Sequence, residues 1–294
     1  CALPILHLVV NHSDLPVRHT VVMRTPDRRR IFAVPLGRYS YIGTTDDYHP
    51  EFEYWPPVTE QDVSYLLSTT KKVMPEASVS PERMVSVWSG IRPLVGDGSG
   101  RASKELSRKD EVWISPSGML SVGGGKLSAY RAMAERVVDQ VVAQHAFSAK
   151  PCATAEVPLP GGEGAARATD LSTLDLGDAE RLTRLYGNEA PSIVAGSAQT
   201  GLIAAEVQHA VRCEGALRLE DYWARRSSRA WFDVGAGLPI LNDAADTMGA
   251  LLGWDNVRKT AEIANCREID QASRAGYLGA NNESGDAHAR RAIG

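Results

Sequence analysis

Met119-Leu120-Ser121-Val122-Gly123-Gly124-Gly125-Lys126-Leu127-Ser128 joins a short apolar run to an amphipathic helix. In that helix Tyr130, Met133, Ala134, Val137, Val138, Val141 and Val142 recur at helical spacing, which predicts one buried face. A strand that turns through glycines into a helix start leaves backbone N–H groups free, with about half a positive charge behind them. Glycines allow a ligand close to that backbone. The turn therefore suits an electron-rich partner, such as a phosphate, a carboxylate or the carbonyl edge of a flavin, and Lys126 adds a full positive charge. Taken alone it equally suits a tight turn whose glycines serve packing. It is neither common phosphate motif. Leu120 stands where GxxxxGK[ST] needs its first glycine, Leu127 follows the lysine, and Ser128 takes the place of the third glycine of GxGxxG.

Upstream of this turn the chain is β-rich. Ile5–Val10, His19–Met23, Arg30–Pro35 and Tyr39–Gly43 read as strands separated by turn compositions, which predicts an antiparallel meander. The run Arg28-Arg29-Arg30 falls in one of those turns and reads as a solvated cluster. Thr59–Met74 reads as a helix, with Thr59 as N-cap and Asp62 three residues on. Met84–Trp88 is a strand running on through Ser89-Gly90-Ile91-Arg92-Pro93-Leu94. Glu111–Ser115 and Met119–Val122 form a hairpin, and the helix after the glycines reaches about His145. Residues 96–100 read as a flexible loop.

Residues 149–170 are rich in Pro, Gly and Ala, and the character changes after them. Ala179–Tyr186, Thr200–Val211, Leu219–Arg226, Ile240–Leu252 and Asn256–Gly276 all read as helices, and the polar tail after Gly279 reads as frayed. The expected division is 1–148, a linker at 149–170, and a helical domain at 171–294. The 294 residues are 43% hydrophobic and 23% charged, an ordinary globular composition. A net charge of −4 gives no support to nucleic-acid binding. The four cysteines are far apart, without metal-ligand spacing, and read as reduced thiols of a cytosolic protein. No stretch approaches the roughly 20 apolar residues of a membrane span.

Chemistry concentrates in the front half. Arg92 precedes Pro93, which biases it to extended backbone. Arg92, Arg108 and Lys126 would make an anion pocket if they converge, because guanidinium groups grip phosphate as forks and an ammonium adds a point charge. By spacing alone, ordinary surface or salt-bridged arginines are the plainer reading of Arg92 and Arg108. His7 in Leu6-His7-Leu8-Val9-Val10 is either a packing residue or a proton acceptor. Gly43-Thr44-Thr45-Asp46-Asp47 is either a structural turn or a ligand contact. Glu206, Glu214, Asp221, Arg225 and Arg226 read as structural ion pairing.

In order along the chain, these segments resemble the FAD-dependent glycerol-3-phosphate dehydrogenases. The residues that carry the resemblance are His7-Leu8-Val9-Val10, Ile42-Gly43-Thr44-Thr45-Asp46, Tyr65-Leu66-Leu67, Trp88 to Leu94 and Gly124 to Arg131. In the back half they are Leu185-Tyr186-Gly187, Ala205-Glu206-Val207, Arg212-Cys213-Glu214 and Ala224-Arg225-Arg226. The resemblance implies an α+β fold: a mixed or antiparallel-sheet substrate domain of a flavin oxidoreductase, followed by an all-α C-terminal domain. It implies oxidation of sn-glycerol 3-phosphate to dihydroxyacetone phosphate with reduction of FAD, and electrons passing on to quinone or another acceptor.

The resemblance further implies His7, Arg92 and Lys126 as catalytic residues. The same three, with Arg108 and Thr45, would bind substrate. Gly124, Gly125, Lys126, Leu127 and Ser128 would lie against the flavin. It implies a cytoplasmic enzyme of glycerol metabolism, with peripheral contact to the inner face of the cell membrane compatible with the sequence. Two other readings stay open, a non-catalytic module for phosphate ligands and a related FAD-dependent amine or amino-acid oxidase.

Two departures stand out. Asn11-His12 occupies the place where the family carries Pro-Arg. The glycine-rich nucleotide-binding βαβ unit is absent from the 294 residues, which start within a strand-like run and without Met. We therefore expect a truncated chain that binds FAD poorly and is inactive alone.

Overall fold

The computed structural model describes residues 2–45, 53–93, 95, 110–164 and 168–278. Its front half is a five-stranded antiparallel sheet of β1 (Ala2–Asn11), β2 (Val21–Arg24), β3 (Arg30–Leu36), β4 (Tyr39–Gly43) and β5 (Met84–Pro93). The spatial order is β2-β3-β4-β1-β5. Thus β2, β3 and β4 form the expected meander, but β1 does not join its edge in sequence order. It lies between β4 and β5, pairing His7 with Gly43 on one side and with Trp88 on the other. The physical reason is that Leu8, Val9 and Val10 are all buried. A strand apolar on both faces belongs in the middle of a covered sheet.

The alternation of β1 divides the sheet into two faces. Leu6, Leu8 and Val10 join Ile31, Ala33, Ile42 and Val87 in a core closed by α1 (Glu60–Val73) through Val63, Leu66 and Leu67. The α1 start is a capping box. The Asp62 N–H donates to Thr59 Oγ1 at 3.2 Å and the Thr59 N–H donates to Asp62 Oδ2 at 3.3 Å. The arginine run sits in the β2–β3 turn, where Arg29 pairs with Asp27 and lies 5.1 Å from the Tyr65 ring. The opposite face carries His7, Tyr41 and Trp88.

A separate hairpin, β6 (Asp110–Ile114) and β7 (Leu120–Gly124), leads through a 3-10 turn at Leu127–Ala129 into α2 (Tyr130–His145). The expectation of a buried face on α2 is not met, since no residue of α2 is buried. Two strands cover only one stripe. Met133 leans over the glycine turn, near enough that a Cβ on Gly125 would meet its Sδ at 2.6 Å, while Val138 on the other stripe is 57% exposed.

After residue 170 the chain is helical: α3 (Leu176–Tyr186), α4 (Ala190–Thr200), α5 (Leu202–Glu214), α6 (Arg229–Phe232), α7 (Leu241–Leu252) and α8 (Asn256–Leu278). Helix α4 went unseen in the sequence because Pro191, Gly196 and two serines dilute its apolar pattern. Its proline sits in the first turn, where the missing N–H costs nothing. Leu219–Arg226, expected as an α-helix, becomes a π-helical turn at Asp221–Arg226. Tyr222, Trp223, Leu241 and Met248 centre the helical core. Among the described residues no helix is long and apolar enough to cross a membrane.

Candidate active site

His7 is fixed by its strand neighbours. Its ring lies over Gly43, which stands directly opposite in β4. A Cβ at Gly43 would come within 2.3 Å of the His7 Cδ2 atom and 2.9 Å of the Leu6 carbonyl oxygen. Glycine is thus required there for the imidazole to lie in the sheet surface. On the other side the ring stacks on Trp88, with centroids 4.7 Å apart and planes 14° from parallel. Tyr41 meets it edge-on at 5.9 Å. Such ring contacts are worth about 0.5–1.5 kcal/mol each beyond the area they bury.

Beyond Trp88 the sheet surface opens. A Cβ added at Gly90 would meet no atom of the described residues within 4 Å. Gly90 pairs with Ile5 and Arg92 with Leu3, so Arg92 stands at successive same-face register positions from Trp88. Thr45 is buried at the exit of β4, where its Oγ1 accepts the Leu6 N–H at 3.2 Å. That bond ties the strand end beside His7. Arg108, Asp46, Asp47, the loop at 96–100 and the tail after Gly279 lie outside the described residues.

Lys126 and the glycines are placed on the second sheet. Gly124 and Gly125 take φ of +75° and +87°, a conformation that disfavours any side chain. They turn the chain so that Lys126, exposed and extended, caps the Leu127–Ala129 turn. Neither that turn nor α2 has a side-chain cap; the Ala129 N–H donates to the Lys126 carbonyl at 2.9 Å and the Tyr130 N–H to the Leu127 carbonyl. Leu127 is 89% exposed. An ammonium, the Leu127 and Ser128 N–H groups that open the 3-10 turn and a large apolar side chain therefore share this turn. The structure groups His7, Gly43, Thr45 and Trp88, puts Arg92 on the strand that carries Trp88, and sets Lys126 with Gly124, Gly125, Leu127 and Ser128 as a second group.

Sequence reasoning missed what covers the His7 face. Trp231 and Phe232, from α6 in the helical half, lie 5.7 and 5.6 Å from Trp88, and Phe232 meets Tyr41 at 6.1 Å. Behind them is a buried ion network. The Glu206 carboxylate, fully buried, accepts from Arg181 at 2.6 and 2.8 Å and from Arg229 at 2.7 Å. Burial alone would raise the Glu206 carboxyl, but the hydrogen bonds and charges of the two arginines outweigh it and hold it below the ordinary value. The expected ion pairing is thus present at Glu206, with Arg181 and Arg229 as partners. Arg225 instead pairs with Asp221 at 2.9 Å and Glu220 at 3.0 Å, and Arg226 donates to the Glu214 carbonyl at 3.0 Å. No three-residue metal cluster occurs among the described residues.

The helical half thus lies over the His7 face of the antiparallel sheet, and the glycine turn leads into α2 on a separate hairpin. Residues 4–131 match the family model of FAD dependent oxidoreductases, and residues 152–259 match the C-terminal domain of alpha-glycerophosphate oxidase. The chain is 29% identical over 290 residues to the aerobic glycerol-3-phosphate dehydrogenase of Bacillus subtilis, covering 90% of this chain and 52% of that one. It is 30% identical over 304 residues to the enzyme of the same name from Staphylococcus saprophyticus, covering 95% and 54%. The crystal structure of the glycerol-3-phosphate dehydrogenase from Bacillus halodurans complexed with FAD superposes with a TM-score of 0.77 at 26% identity, over 94% of this chain and 57% of that one. Over nearly its whole length the chain is thus similar to FAD-dependent glycerol-3-phosphate dehydrogenases. It spans about half the length of the curated relatives it matches.

Proposed function

We propose that this chain supplies the substrate face and helical cap of a flavin enzyme that oxidises sn-glycerol 3-phosphate to dihydroxyacetone phosphate. The observation that carries the proposal is the uncapped turn at Gly124–Ser128 with Lys126 exposed beside it. Its donor set, backbone N–H groups and one ammonium, fits the electron-rich pyrimidine edge of FAD. When bound, FAD supplies a two-electron acceptor for the substrate C2–H. His7 takes the C2 hydroxyl proton on an imidazole nitrogen. Arg92 and Arg108 grip the phosphate dianion, and Lys126 stabilises negative charge developing at the reacting centre. Thr45 holds the end of β4 against β1, which keeps His7 in register. We assign 1–148 to the flavin-contacting substrate part, 149–170 to a linker and 171–294 to the cap.

The pyrophosphate-binding glycines and the ribose-binding acid of a Rossmann unit are not in these 294 residues. In this reading the chain holds half of the FAD site and is inactive unless joined to the other half. Quinone is the proposed final acceptor, with the enzyme cytoplasmic and peripheral to the membrane. The test is to join the chain to a family nucleotide-binding segment and follow dye reduction. Reduction that saturates with glycerol 3-phosphate, and not with amino acids or amines, supports the reading. A flavin-loaded protein that reduces no dye with glycerol 3-phosphate overturns it.

A further inference from the structure

Helix α6 is a single turn of four residues, Arg229 to Phe232. Isolated helices below about 12–15 residues are marginal even with good sequences, so this one is placed by tertiary anchors. Both flanks depart from helical backbone. Ser228 before it takes φ +57°, and Gly235, Ala236 and Gly237 after it take +61°, +55° and +61°. Two of its anchors form a line from the helical half to the sheet. At its start, Arg229 is 5% exposed and is gripped by Glu206 at 2.7 Å and Asp233 at 2.5 Å. At its end, the Trp231 carbonyl accepts the Ser86 hydroxyl on β5 at 2.5 Å. Between these anchors, Trp231 and Phe232 press on Trp88, and Trp88 stacks on His7.

The contacts form one continuous line from a buried carboxylate in α5 to the imidazole. We propose that Glu206 is a positioning residue: by holding Arg229 it seats α6 on the sheet, and α6 sets the Trp88–His7 stack. A buried ion pair is poor evidence of stability, because well-packed apolar residues often replace it without loss. Its directional hydrogen bonds give a fixed placement that an apolar contact lacks. Arg181 supplies the second clamp on the same carboxylate, so the charge cannot reorient when α6 is loaded. The catalytic meaning rests on the reading that His7 faces substrate. The geometric claim does not.

The test uses the intact 294-residue chain and histidine NMR, with His7→Gln identifying the His7 signals. In the parent chain the Trp88 face, stacked 4.7 Å from the imidazole, should shift the His7 ring protons upfield. Glu206→Gln keeps the shape and removes the charge. The expected result is loss of at least half of that upfield shift, with His19 signals unmoved. A lowered melting temperature with His7 signals unchanged would make Glu206 merely structural and overturn the proposal. Asp233→Asn releases the outer anchor of Arg229 and is read in the same way where Glu206→Gln yields no folded chain; unchanged His7 signals there are equally fatal. In the joined enzyme, a His7→Gln variant with full turnover would defeat the assigned role of His7 while leaving the positioning result standing.

Discussion

Replacing Gly43 with alanine should push His7 out of the sheet surface. The new methyl carbon would sit 2.3 Å from His7 Cδ2, 2.8 Å from Nε2 and 2.9 Å from the Leu6 carbonyl oxygen. Carbon atoms rest about 3.5–4.0 Å apart, so the ring must leave by more than 1 Å. Overpacking of this kind costs about 1–3 kcal/mol. Leaving the Trp88 stack adds about 0.5–1.5 kcal/mol. The expected total is roughly 2–4 kcal/mol, read from urea unfolding followed by tryptophan fluorescence. In a His7→Ala background the two ring contacts are gone while the Leu6 carbonyl contact stays, and Gly43→Ala should cost about 1 kcal/mol. The double-mutant cycle should therefore return a coupling of at least about 1 kcal/mol. Additive effects, within about 0.5 kcal/mol, would show that the ring does not lie over Gly43 and would refute the geometry.

Lys126→Ala should leave stability within about 0.5 kcal/mol, because the side chain is exposed; in the joined enzyme it should lower kcat/KM by roughly 10²–10³ if it stabilises charge at the reacting centre. Glu206 has its carboxyl held below the ordinary value of 4.5 in the fold, so its stabilisation is complete above that value and is lost as pH falls through the lowered one. Acid unfolding should accordingly be shallower in Glu206→Gln than in the parent chain, measured by circular dichroism from pH 6 downward. Burial pushes the Cys266 thiol up to about 12, while Cys152 and Cys213 are exposed. Brief alkylation of the native chain should label Cys152 and Cys213 and spare Cys266, and mass spectrometry of the peptides would show otherwise at once.

Much of the front half was legible because its signals are local. Tyr39–Gly43 was bounded as observed, and Thr59 with Asp62 announced the start of α1. The glycine turn was legible for the same reason, since strand, glycines and helix are adjacent in sequence. The position of β1 was not, because pairing with β4 and β5 at once is a long-range choice made by burial on both faces. The face of α2 misled for the opposite reason. Its periodicity is real, but periodicity states what a helix can bury and not what is there to cover it. The cover of His7 was invisible because Trp231 and Phe232 sit in a one-turn helix, too short for any pattern. Arg181 and Arg229 show no spacing relation to Glu206 that sequence alone could use.

The bare hairpin and α2 bear on how the molecule behaves in a tube. Trp113, Ile114, Met119, Val122, Leu127 and Tyr130 are all exposed on that one unit. Exposed apolar side chains gathered on one unit promote self-association before any unfolding occurs. Concentrated preparations should thus scatter light while their circular dichroism is still native, and mild detergent should clear them. Handling losses of that sort come from this corner of the molecule, and core-stabilising substitutions would leave them unchanged.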